Sequence, residues 1–196
     1  SYLSLTAVQR IFAANGLVVV DVQELPTHGG SLRVFASRAD AAAHPQATPE
    51  GADRVAQLLA TEAAAGMVRE GFYSDFQPQA LRIKRELLSF LLQCQADGLT
   101  VGAYGAAAKG NTLLNFAGVR PDLLPYVVDK NPAKQGQYLP GSRIPIVDEA
   151  HLRAHRPDRV LILPWNLKTE IVRQLADMRK RGVRFVTAVP QVSLTT

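Results

Sequence analysis

Apolar residues along positions 4–15 (SLTAVQRIFAAN) recur at Leu5, Val8, Ile11 and Phe12, which predicts a helix with one apolar face, ending at Asn15-Gly16. The period then changes to two. Residues 17–25 (LVVVDVQEL) and 31–37 (SLRVFAS) alternate on either side of the turn PTHGG, the pattern of an antiparallel hairpin. A helix and a lone hairpin cannot enclose a core, so this pair is expected to complete a sheet formed elsewhere. Left uncovered, residues 17–36 would present an apolar face and promote self-association through the hairpin.

Residues 38–51 (RADAAAHPQATPEG) mix alanine, proline and polar residues and read as a linker or loose surface segment. Helices follow at 52–65 and 78–97, the second carrying Leu81, Leu88, Leu91 and Leu92 on one face and ending at Gly98. From residue 99 strands and helices alternate, with strands predicted at 100–104, 125–128, 159–163 and 184–188 and helices near 109–118, 148–154 and 167–181. That alternation implies an α/β fold: a Rossmann-like, mostly parallel sheet with helices on both faces, preceded by the helix and β-hairpin.

Composition adds mainly exclusions. With 196 residues, 47% hydrophobic and 20% charged, the chain is ordinary for a globular protein. No apolar run approaches the roughly 18 residues that span a bilayer, and no basic-then-apolar leader opens the sequence, so a cytoplasmic location without membrane partners is expected. The single Cys94 lies in the apolar run LLSFLLQCQA and reads as a small buried hydrophobe. One cysteine and four scattered histidines, His28, His44, His151 and His155, make no metal pattern. The net charge of +5 has its densest patch in MRKRGVR at 178–184, near a predicted helix end that favours cations. No aromatic residues interleave there, so nucleic acid is not an expected partner.

Candidate chemistry gathers after the predicted strands, where open parallel sheets bind ligands. The stretch VGAYGAAAKGNTLL at 101–114 has the shape of a phosphate-binding turn, yet Gly102, Gly105 and Gly110 fit neither G-x-G-x-x-G nor G-x-x-x-x-G-K-[ST]. Lys109 and Asn111 supply a cation and an amide for a phosphate, or else a solvated lysine and a helix-capping asparagine. Asp129 stands where a Rossmann acid grips a ribose hydroxyl, or is a turn aspartate before Asn-Pro. Trp165, the only tryptophan, offers a face for a base or sugar, or a lid over the core. Asn166 is placed to cap the helix LKTEIVRQL and to line the same pocket. His28, in THGGS, sits on a glycine-rich loop that can approach a ligand; most such histidines are solvated. No nucleophile triad or paired carboxylate accompanies these residues.

Taken together, LPTHGGSLRVFASR, YGAAAKGNTLLNFAGV, VVDKNPAKQGQYLPGSRIPIV and LILPWNLKTEI resemble the carboxyl-terminal part of the S-adenosylmethionine-dependent sugar C-methyltransferases. The resemblance covers nearly the whole chain. It implies that residues 1–38 are the last helix and hairpin of a methyltransferase domain, 39–74 a linker and helix, and 75–196 a carboxyl-terminal Rossmann-like domain. The function it implies is C-methylation, typically at C3, of a nucleotide-linked 4-keto-deoxysugar, with this part holding the nucleotide-diphosphate sugar. His28, Lys109, Asn111, Asp129, Trp165 and Asn166 are the substrate-binding residues so implied, and Tyr138 falls in a matched stretch as well.

The resemblance also implies a Glu-His general base before Ser1, S-adenosylmethionine bound outside this sequence, and zinc in an amino-terminal segment, so the 196 residues alone are expected to be inactive in methyl transfer. The alternative is an independent Rossmann-like module that binds NAD or another adenine nucleotide. The glycine spacing counts against it.

Overall fold

A computed structural model describes residues 2–42 and 47–195, the side chain of His28 excepted. His44 and part of the loose segment 38–51 lie outside the described residues. The chain divides into two compact units, residues 1–76 and 77–196.

In the first unit, helix α1 (Leu5–Ala14) begins at Ser4, whose hydroxyl accepts from the Ala7 N–H. Strands β1 (Leu17–Leu25) and β2 (Ser31–Arg38) pair antiparallel, with a bulge between Val19 and Asp21. Helix α2 (Pro49–Ala64) starts at Thr48, which accepts from Gly51 N–H, with Pro49 in the first turn, where its missing N–H does no harm. The apolar side of the hairpin, read in the sequence as uncovered, packs against α2. Val55, Leu58 and Leu59 share a helical face and meet Val19, Val22, Leu32 and Val34, with Leu5 completing the cluster. Arg54 fastens the contact with two bonds to the Asp21 carboxylate, at 2.9 and 2.7 Å. So α2, the helix predicted at 52–65, starts at Pro49 and packs within the same unit as the hairpin.

The second unit contains most of helix α3 (Phe76–Ala96) and then β3 (Val101–Tyr104), α4 (Ala108–Ala117), β4 (Val127–Val128), β5 (Ile146–Val147), α5 (Glu149–His155), β6 (Arg159–Ile162), α6 (Lys168–Gln174), α7 (Ala176–Lys180), β7 (Arg184–Thr187) and β8 (Ser193–Thr195). The sheet order is β5-β4-β3-β6-β7-β8; all neighbours run parallel except β8, which pairs antiparallel with β7. Two strands go beyond the four predicted, since β5 and β8 are too short to carry a period of two. The single helix predicted over 167–181 is a short 3-10 turn followed by two helices, broken at Leu175.

Alternating residues send the sheet's two faces into separate cores. Ala103, Leu161 and Val186 meet Leu87, Leu91 and Leu114 of α3 and α4. Tyr104, Val160, Ile162 and Phe185 meet Leu152, Ile171, Leu175 and Met178 of α5 to α7. Cys94 is buried among the first set, and burial pushes its thiol above the ordinary range. Arg179 and Lys180 occupy the last turn of α7. No helix among the described residues is long and apolar enough to cross a membrane.

The connectivity sets the functional edge. Strands β3 and β6 are neighbours, but β3 leads into α4 on one face and β6 leads toward α6 on the other. The two connections part above the strand ends, the place where doubly wound sheets bind ligands.

Candidate functional site

The turn from β3 to α4 is shaped by packing. Gly105 has φ +94°, and a Cβ placed on it would fall 2.7 Å from Cγ of Pro164. A Cβ on Gly110 would lie 2.5 Å from Cβ of Leu163. Both glycines therefore let α4 press against the end of β6, which is why they follow no phosphate-binding spacing. Ala107 stands at the N-cap with no side-chain cap, and Asn111 lies within α4 rather than at its start. The capping role allowed for Asn111 is not the one it plays. Its carbonyl and Oδ1 accept from Nδ2 of Asn115, which also donates to the Pro140 carbonyl and so binds the loop after β4 to α4.

Lys109 stands in the first turn of α4. Its Nζ lies 3.4 Å from Oδ1 of Asn166, to which it donates, and 5.7 Å from the centre of the Trp165 ring. Trp165 and Asn166 sit in the 3-10 turn Trp165–Leu167 that leaves β6. Asn166 does not cap the following helix: Leu167 holds that position and makes no side-chain bond. Three residues from two distant stretches thus meet as a cation, an indole face and an amide at the strand-order switch.

Asp129, at the end of β4, turns its carboxylate inward. Oδ2 accepts from the Ala106 N–H at 2.9 Å and from Lys134 Nζ at 3.2 Å, and Oδ1 accepts from the Asn131 N–H at 2.9 Å. Lys134, which the sequence reading passed over, also donates to the Ala106 carbonyl at 2.8 Å. The signal was Asn131-Pro132 after Asp129, a turn that folds Lys134 back onto the acid. Tyr138 is exposed, its backbone bridging to Pro145. His28 belongs to the first unit, in the short turn Thr27–Gly29.

On the other face of the sheet, the Tyr104 hydroxyl donates to Glu149, Gln174 donates to both, and Arg153 closes the set on Glu149. Burial and the Glu149 carboxylate together hold the Tyr104 phenol far above its usual range. Burial would raise the Glu149 carboxyl, but the bonds from Tyr104 and Arg153 outweigh it and hold it below the usual range. These groups satisfy one another.

The turn differs from the adenine-nucleotide sites of this fold. Its glycines are filled by Pro164 and Leu163, and both oxygens of the acid after β4 are engaged by Ala106, Asn131 and Lys134. The residues present do not fit the dinucleotide or S-adenosylmethionine arrangement, in which that acid faces a ribose. Among the described residues, no group of three or more His, Cys, Asp or Glu is placed to hold a metal.

Sheet order and site together define a Rossmann-like α/β domain whose polar groups meet at the switch point. Residues 26–190 match the family described as the C-methyltransferase C-terminal domain. The chain is also 37% identical over 191 residues to C-methyltransferase NovU of Streptomyces niveus, a match that covers 97% of this chain and 44% of that protein. The chain belongs to the C-methyltransferase C-terminal domain family.

Proposed function

We propose that this chain forms the substrate-holding part of an S-adenosylmethionine-dependent C-methyltransferase and binds a nucleotide-diphosphate sugar in the crevice between α4 and the turn after β6. The observation that carries the reading is the meeting of Lys109, Trp165 and Asn166 at the switch point. Lys109 offers a cation to a phosphate, the indole a flat surface to a base or sugar, and Asn166 both a donor and an acceptor. Carbon methylation beside a ketone requires proton removal, an enolate and a positioned methyl donor. Within that scheme this chain binds and orients the sugar nucleotide and supplies neither base nor methyl donor, so the chain alone is inactive in methyl transfer.

Calorimetric titration of the chain with thymidine diphosphate, with NAD and S-adenosylmethionine as parallel ligands, tests this. Selective binding of thymidine diphosphate, weakened about tenfold in Lys109→Ala, is the expected result. Binding of NAD alone would replace the proposal with the independent-module reading.

A further inference from the structure

We infer that Asp129 and Lys134 form a positioning clamp on the backbone at Ala106 and thereby set the direction in which Lys109 enters the ligand crevice. The inference rests on the proposed ligand site. Its basis is that both backbone polar groups of one buried residue, Ala106, are held by one ion pair. The Ala106 N–H donates to Asp129 Oδ2 at 2.9 Å, the Ala106 carbonyl accepts from Lys134 Nζ at 2.8 Å, and the two side chains meet at 3.2 Å. Ala106 is 8% exposed, and the side chains of Asp129 and Lys134 are 13% and 40% exposed, so the ring of contacts is partly shielded from water.

The conformation of this residue matters because Ala106 is the pivot between β3 and α4. Before it, the Gly105 N–H continues the ladder to the Val128 carbonyl at 2.7 Å; after it, the Ala107 N–H turns back to the Gly105 carbonyl at 2.8 Å. Helix α4 begins two residues later and carries Lys109 in its first turn. A change in the backbone torsions at Ala106 therefore swings the start of α4, and with it the Lys109 ammonium relative to Trp165 and Asn166. Lys134 comes from beyond the Asn131-Pro132 turn, whose geometry the Asn131 side chain fixes by accepting from the Ala133 N–H at 3.0 Å. The loop after β4 thus reads out on the helix after β3 through one lysine.

A double-mutant cycle in this chain tests the clamp, with thymidine diphosphate as probe. Lys134→Met keeps the aliphatic stem and removes the ammonium; Lys134→Arg keeps a cation able to reach both acceptors. We expect Lys134→Met to weaken binding about tenfold, Lys134→Arg to restore most of it, and Lys134→Met to have little further effect in a Lys109→Met background. Additive losses would mean that Lys134 acts on the ligand independently of Lys109 and would overturn the clamp. So would a lowered melting midpoint with unchanged affinity. Should the unmutated chain not bind thymidine diphosphate, the proposed function fails, and the clamp is judged by amide exchange instead. Faster exchange confined to residues 106–110 in Lys134→Met supports it, and unchanged protection there overturns it.

Discussion

Glu62 and Thr6 are joined twice: Oε2 of the buried glutamate accepts from both the Thr6 N–H, at 2.8 Å, and the Thr6 hydroxyl, at 2.6 Å. With Oε1 accepting from the Leu5 N–H at 2.6 Å, a side chain on α2 satisfies the opening amides of α1. Placed at a helix start, its negative charge also complements the dipole. Glu62→Ala should destabilise the first unit by roughly 2–4 kcal/mol, because three bonded donors lose their partner inside the protein. Glu62→Gln, which keeps one carbonyl acceptor, should lose less. Urea unfolding followed by circular dichroism, with amide exchange of α1, checks both; a change within about 0.5 kcal/mol for the alanine variant would remove this role.

Gly110 is a helix-interior glycine, a position where alanine ordinarily stabilises by roughly 1 kcal/mol. Here the added methyl would meet Leu163 at 2.5 Å, so Gly110→Ala is expected to destabilise by about 1–3 kcal/mol instead. The sign of the change in denaturation midpoint decides the matter.

The hydroxyl of Tyr126 is buried and finds no hydrogen-bond partner among the described residues, and burial pushes the phenol up to about 12. Removing that hydroxyl leaves no orphaned donor or acceptor behind. Tyr126→Phe should therefore be neutral or stabilising by up to about 1 kcal/mol, measured as a melting shift. A clear loss of stability would show that the hydroxyl is satisfied.

His151 and His155 stack with ring centres 3.8 Å apart, and the Tyr126 ring meets His151 edge-on at 4.7 Å. Burial and the neighbouring His155 lower the His151 pKa from 6.5, against the opposing pull of Asp148. A base whose folded pKa is depressed binds its proton more readily when unfolded. Its contribution is thus fully present above the unfolded value near 6.5 and is lost as the pH falls from there through the lower folded value. The melting midpoint should fall between about pH 7.5 and about pH 5.5, by less in His151→Phe, which keeps a ring against Tyr126 and carries no proton.

Trp165 is the only tryptophan, so fluorescence excited selectively from tryptophan, away from the five tyrosines, reports its surroundings alone. Thymidine diphosphate should change its emission in a saturable way, and Lys109→Ala should move that titration to higher ligand concentration by about tenfold. An unchanged spectrum at concentrations that saturate calorimetry would place the ligand away from the indole.

Sequence periodicity determined most of the α/β layer by itself. Buried strands carry continuous apolar runs, as residues 160–163 do, and the helix Phe76–Ala96 repeats its leucines at helical spacing, although its buried face runs through Leu87, Leu91 and Cys94 while Leu81 and Leu92 of the predicted face are exposed. The residues of the crevice were legible because chemistry after strand ends is conspicuous: Lys109, Trp165 and Asn166 stand among apolar neighbours. Tertiary structure decided the rest. Ile146–Val147 and Ser193–Thr195 become strands only because a sheet edge is there to pair with them. Asn166 faces Lys109 instead of capping α6, and α2 covers the hairpin, because packing partners far apart in sequence outbid local preference. The inward turn of Asp129 toward Lys134 and the backbone at Ala106 belongs to the same class: three residues from two loops share one set of hydrogen bonds, and no periodicity encodes such a meeting.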